Sequence, residues 1–187
     1  MSILKIARMG HPALDGPAGP VKDPESDEIK RLVADMIDTM ADAGGVGLAA
    51  PQVYAPVRLV IFHVPSALDA DERYEDAGLA EEDDETPLTV LINPSFEPQG
   101  DDVLCAWEGC LSLPGMTGFV PRHRCIRYWG VGLRGEKIER RATGFHARVV
   151  QHELDHLNGM LFPMRMPDLK RFGFSEEMRR YHITEED

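Results

Sequence analysis

The run Gln151-His152-Glu153-Leu154-Asp155-His156 has the form H-E-x-x-H. Two imidazoles four residues apart on a helix differ by about 40° in azimuth and about 6 Å along the axis, so both reach one ion. Glu153 lies within about 100° of both, close enough to act on a water that the ion holds. The spacing therefore predicts a metal site with its own general base. The plain alternative is a helix that carries two histidines and a surface glutamate, and five residues alone leave it open.

A hydrolytic site of this type uses three protein ligands and keeps one position for water. One common third ligand is a histidine in H-E-x-x-H-x-x-G-x-x-H. Gly159 fits that pattern, but Phe162 stands where the histidine belongs. A second is a glutamate about twenty residues downstream, and Glu176 sits at that distance among Glu177, Arg179 and Arg180. A third candidate is Cys110, in Glu108-Gly109-Cys110-Leu111-Ser112-Leu113-Pro114. Gly109 lets backbone approach closely there, and a thiolate binds divalent ions strongly. Cys105 and Cys125 lie in strand-like segments and are expected to be buried structural cysteines. The loop Gly45-Val46-Gly47-Leu48-Ala49-Ala50-Pro51-Gln52 is small and glycine-rich. Gln52 offers an amide donor suited to a developing oxyanion, although such a loop is more often only a turn.

These residues need elements to carry them. Residues 26–43 are helical in period, with Ile29, Leu32, Val33, Met36, Ile37 and Met40 on one face and Ser26 or Asp27 as cap. Gly44, Gly45 and Gly47 end that helix and open a tight loop. Residues 57–62 and 88–92 read as strands, the second closed by Asn93-Pro94, and 102–107, 118–130 and 137–143 as three more. Residues 145–158 form the metal helix, with Thr143 as cap and Gly159 as stop, and Asp168 caps a last helix reaching about Arg180. Strands cluster between helices instead of alternating with them. The expected fold is α+β, with mostly antiparallel sheets packed around a central helix that carries H-E-x-x-H.

The chain has 187 residues and reads as one domain spanning 1–187. Its net charge of −12 argues against a DNA- or RNA-gripping protein. Residues 69–85 hold ten acidic residues against Arg73 alone, which marks an acidic insertion at about 66–86. No run approaches the roughly 20 apolar residues of a membrane span. The N-terminus lacks the pattern of a secretory signal. An odd count of three cysteines argues for free or metal-bound thiols in a reducing cytosol, an organellar home being left open.

Taken in order, G-x-G-L-A-A-x-Q, E-G-C-L-S and Q-H-E-x-D-H resemble the peptide deformylase family, from about residue 4 to 166. The resemblance implies a mixed α+β fold and hydrolytic removal of the formyl group from N-formylmethionyl nascent peptides, releasing formate. It implies that Cys110, His152 and His156 hold one divalent ion. Fe²⁺ would be native, with Zn²⁺, Ni²⁺ or Co²⁺ as substitutes. Glu153 would relay the proton from water to the leaving amine. The Gln52 side chain and the Leu111 backbone N–H would stabilise the oxyanion. Val46 and Gly109 would bind the peptide backbone with Gly47 beside them, and Val46, Phe145 and Val149 would wall the methionine pocket, with His152 at its edge.

The resemblance further pairs Glu108 with Arg122 to hold the Cys110 loop, while Asp155 could serve as an acceptor behind the ligands or be solvated. There are departures. Gly115-Met116-Thr117 stands where many bacterial members carry a substrate-contacting arginine, and Arg148 replaces an apolar residue common near the pocket. Lys170, Arg171, Arg179 and Arg180 form a modest basic cluster, so any ribosome contact is expected to be transient. A monomer is expected, with a dimer left open. Two other readings remain at this point: a peptide-bond metalloprotease using Glu176, and an inactive metal-stabilised binding module.

Overall fold

The computed structural model describes residues 2–66, 74, 78–79 and 85–183. Most of the expected acidic insertion therefore lies outside the described residues. Helix α1 (Asp27–Asp42) starts where expected, with the Ser26 hydroxyl accepting from the Ile29 N–H at 3.4 Å. Asp27 and Glu28 sit at its N-terminus, where the helix dipole favours negative charge. The helix buries Ile29, Val33, Met36 and Met40 against Leu48, Leu59, Ile61 and Ile92. Gly44 follows with φ 62°, a left-handed turn suited to glycine.

Five strands form one sheet in the order β1-β2-β3-β6-β7: β1 (Gly47–Ala49), β2 (Leu59–Val64), β3 (Thr86–Pro98), β6 (Cys125–Val131) and β7 (Lys137–Thr143). A second sheet has the order β4-β5-β8, from β4 (Val103–Gly109), β5 (Met116–His123) and β8 (Phe172–Phe174). Every strand pair in both sheets is antiparallel.

Four boundaries differ from expectation. The glycine-rich loop is in part a strand, because Gly47, Leu48 and Ala49 pair with Phe62, Ile61 and Val60; a 3-10 turn, Ala50–Val53, then delivers Gln52. The segment 118–130 is two strands in different sheets. The break falls at Arg124, whose N–H extends the β4–β5 ladder to the Asp102 carbonyl at 2.9 Å while its carbonyl accepts from the Gly144 N–H at 3.0 Å, beside the β6–β7 ladder. The strand over 88–92 runs on through Asn93, which takes φ 51° in a register shift between Ile92 and Ser95. Its side chain there bonds both Val21 N and Val21 O at 2.9 Å, an anchor that the short amide of asparagine can reach. Asp168 caps only a 3-10 turn, Leu169–Arg171; β8 and then α3 (Ser175–Tyr181) follow it.

Helix α2 (Gly144–Leu157) packs on β1, β2 and β3 of one sheet and on β5 of the other. Twelve of its fourteen residues are buried, so every polar group on it needs a partner. Gly159, at φ 71°, stops the chain behind it and lies against Asp15 and Gly16, where a Cβ would clash with backbone at 2.8 Å. The cysteine expectation is corrected at two positions. Cys105 is exposed, sharing the outer face of edge strand β4 with Val103, and Cys125 is only half-buried.

Candidate metal centre and active site

Helix α2 supplies His152, Glu153 and His156, and the turn after β4 supplies Cys110. One ligand atom from each of Cys110, His152 and His156 lies within 4.8 Å of the others. The Cys110 Sγ to His156 Nε2 separation is 3.3 Å. Two ligands of a tetrahedral ion, each about 2.0–2.3 Å from it, stand roughly 3.4 Å apart. The donor set, one thiol and two imidazoles, therefore fits a zinc- or iron-like ion in both chemistry and spacing. Glu176 is exposed on α3 and is not among these groups.

The electrostatics fit the same use. Burial alone would raise the Cys110 thiol, but His156 and His152 beside it hold it well below its ordinary value. Burial disfavours the charged form of His152, yet hydrogen bonds to Cys110 and Glu108 raise it well above the usual imidazole range. The His152 Nδ1 meets Glu108 Oε2 at 2.8 Å, which leaves Nε2 for a ligand. The expected pair behind it is present and bidentate: Arg122 Nε reaches Glu108 Oε1 at 2.8 Å and Nη2 reaches Oε2 at 2.9 Å. Burial opposes charge on Glu108, but Arg122 and His152 hold its carboxyl well below the usual range. Asp155 is buried and accepts from Arg122 Nη1 and, at 2.6 Å, from Arg165 Nη2, so it is not a solvated carboxylate.

Glu153 is buried, and its Oε2 has no hydrogen-bond partner among the described residues. Burial pushes its carboxyl up to about 7, although His152 and His156 pull the other way. Gly47 of β1 lies directly against it: a Cβ there would stand 2.2 Å from Glu153 Oε1. Gln52 is 1% exposed and fixed at both ends of its amide. Its Oε1 accepts from the Ala49 N–H at 2.8 Å, and its Nε2 donates to Ser112 Oγ at 3.1 Å and faces Cys110 Sγ at 3.7 Å.

These groups open on one cavity of about 480 Å³. Val46, Gly47, Gln52, Gly109, Cys110, Leu111, Phe145, Val149, His152 and Glu153 all line it, while His156 lies behind, 2% exposed. Among the other lining residues, Tyr74, Trp107 and Arg179 were not assigned to the site from sequence, and Arg148 was noted there only as a departure near the pocket. The Tyr74 hydroxyl donates to the Gly44 carbonyl at 3.1 Å and its ring meets the edge of Phe145, so the acidic segment contributes a wall. Its only signal was an aromatic residue within a charge run. Arg148 gave a stronger one, a charge on the buried face of α2 one turn before His152. Of the basic cluster, Arg171 stacks on Phe119 at 3.5 Å and also lies over Trp107.

Comparisons with known proteins agree with this geometry. The polypeptide deformylase family profile matches residues 3–172. Peptide deformylase 1 of Bordetella pertussis is 49% identical over 171 residues, covering 91% of this chain and 92% of that protein. Peptide deformylase 1 of Nitrosomonas europaea is 47% identical over 94% of each chain. Among solved structures, the class I type b peptide deformylase of Acinetobacter baumannii with Met-Ala-Ser bound superposes with a TM-score of 0.78 and 36% identity, covering 89% of this chain and all of that one. The chain thus belongs to the peptide deformylase family, enzymes that remove the N-formyl group from nascent peptides.

Proposed function

We propose that Cys110, His152 and His156 hold one divalent ion, Fe²⁺ in the cell, and that Glu153, Gln52 and Leu111 carry out deformylation of N-formylmethionyl peptides beside it. The observation that carries this reading is the convergence of one thiol and two imidazoles within 4.8 Å, with the Glu153 carboxyl on the same helix. Zn²⁺, Ni²⁺ and Co²⁺ suit the same donors. When bound, the ion supplies a Lewis acid and a nucleophilic water at neutral pH.

The chain's own groups do the rest. Burial favours a protonated Glu153 carboxyl, so Glu153 can hold the proton it takes from the attacking water until it returns it to the leaving amine. The Gln52 amide is held by Ala49 and Ser112, so its N–H donors are in place before the oxyanion forms. Leu111 follows Cys110 in the same turn, and its N–H would be the second donor. A donor of this kind contributes about 3–4 kcal/mol to the barrier. The peptide lies along Val46, Gly47 and Gly109, and its first side chain enters between Val46, Phe145 and Val149. The Met-Ala-Ser bound to the Acinetobacter baumannii relative has the chemistry of a deformylated product, which supports this reading. The setting is a bacterial cytoplasm, in which Lys170, Arg179 and Arg180 could give a transient ribosome contact.

The test is mass spectrometry of a short formyl-Met peptide incubated with anaerobically prepared, Fe²⁺- or Ni²⁺-loaded protein. Loss of the formyl group alone, abolished in Glu153→Ala, is expected. An intact peptide in the presence of stoichiometric metal, or equal turnover by Glu153→Ala, defeats the proposal.

A further inference from the structure

Glu108 is gripped by more than its arginine on β5. Arg148 stands one helical turn before His152 on α2, so both side chains reach the same carboxylate from the same helix face. The Arg148 Nη1 donates to Glu108 Oε1 at 2.7 Å and to the Val120 carbonyl at 2.9 Å, and its Nη2 donates to the Leu104 carbonyl at 2.7 Å. The side chain is 3% exposed. An ionised guanidinium is costly to bury without acceptors, and here it spans two strands of the second sheet and one charged partner.

The count on Glu108 is complete. Its Oε1 receives Arg122 Nε and Arg148 Nη1, and its Oε2 receives Arg122 Nη2 and His152 Nδ1. A carboxylate offers about four lone-pair sites, and all four are taken. With Arg122 alone the carboxylate could rock about the axis of that bidentate pair. A second guanidinium from α2 removes this freedom and ties the acceptor of His152 to the helix that carries His152.

We infer that Arg148 is a positioning residue for the metal site: by clamping Glu108 it fixes the ring orientation of His152 and so the direction of its free nitrogen. This rests on the reading that Cys110, His152 and His156 bind an ion. Partners behind metal-binding histidines typically contribute about 10–100-fold to metal affinity.

The experiment loads the protein with Co²⁺ and records two quantities, the visible d–d and thiolate charge-transfer spectrum and the rate of ion release to a chelator. Arg148→Met and Arg148→Gln, each checked for an intact fold by melting, should shift the spectrum and release Co²⁺ roughly 10-fold faster. Arg148→Lys, whose ammonium still reaches Glu108, should fall closer to the parent. A folded neutral variant with the parent's spectrum and release rate overturns the inference. So does a lysine variant as leaky as the neutral ones. A parent protein that takes up no Co²⁺ refutes the metal reading itself, and this inference with it.

Discussion

Gly47→Ala isolates the position of one carboxylate. The Gly47 backbone lies in a strand conformation that alanine adopts without strain, and its pairing with Phe62 prevents β1 from withdrawing. The added methyl would lie 2.7 Å from Glu153 Cδ and 2.2 Å from Oε1. Carbon atoms in contact ordinarily stand at least about 3.5 Å apart, so the carboxyl group must retreat by about 0.8 Å. A misplacement near 1 Å in a reacting group costs on the order of 10²-fold in rate, or about 2.7 kcal/mol. The expected result is a fall of about 100-fold in kcat on a formyl-Met tripeptide, with metal content and melting temperature close to the parent's. The three atoms nearest the added methyl all belong to Glu153, and metal stoichiometry separates a displaced base from a damaged ligand set. Activity within threefold of the parent, in fully loaded protein, would refute the reasoning that Glu153 acts from the place where it is seen.

Arg122→Ala strips the shared cation from Glu108 and Asp155, both buried, and should destabilise the fold by roughly 3–5 kcal/mol. Denaturant midpoints at fixed metal content measure this, and a loss below about 1 kcal/mol would contradict the assigned burial cost. Metal uptake should also release protons in a pH-dependent number. Below pH 7 Glu153, raised to about 7, carries a proton that a nearby cation expels, and above pH 7 that proton is already gone. His152, held well above the ordinary imidazole value by Cys110 and Glu108, must lose a proton to become a ligand. Calorimetric titration with Zn²⁺ in buffers of different ionisation enthalpy should thus report about two protons released near pH 6 and fewer at pH 8. A count that is flat across this range would show that Glu153 does not titrate there.

Sequence reached the metal helix because its chemistry and its period coincide: residues 145–158 were expected and α2 spans Gly144–Leu157. Cys110 and Gln52 were also legible because motif order carries them, and the Glu108–Arg122 pair because the family resemblance implies it. Strand β1 was not, since the three residues Gly47-Leu48-Ala49 are too few to show a period and become a strand only through pairing with β2. Nor was the break at Arg124, where an unbroken β-like run hides a change of sheet: the Arg124 N–H bonds Asp102 beside one sheet and its carbonyl bonds Gly144 beside the other. Arg148 and Asp155 show the same limit in side chains. Their residue type says solvent and their helix position says core, and only the arrangement of Glu108, Arg122 and Arg165 around them resolves the conflict.

The two sheets each present an edge to the cavity, β1 from one and β4 from the other, with Gly47 and Gly109 on its walls. Edge strands offer rows of backbone donors and acceptors that only an extended partner can meet. An N-terminus already drawn into a helix or a packed core has those groups occupied. A peptide docked along these edges as proposed would make the site sense the conformational state of its substrate as well as its formyl group, and the reaction would run against a clock. Chains lengthen at about 5–20 residues per second, and their N-terminal regions begin to fold as they emerge. The window opens when the first residues become accessible and shuts when they acquire structure of their own. Fast-folding N-termini should accordingly be the ones that keep their formyl groups when the enzyme is scarce.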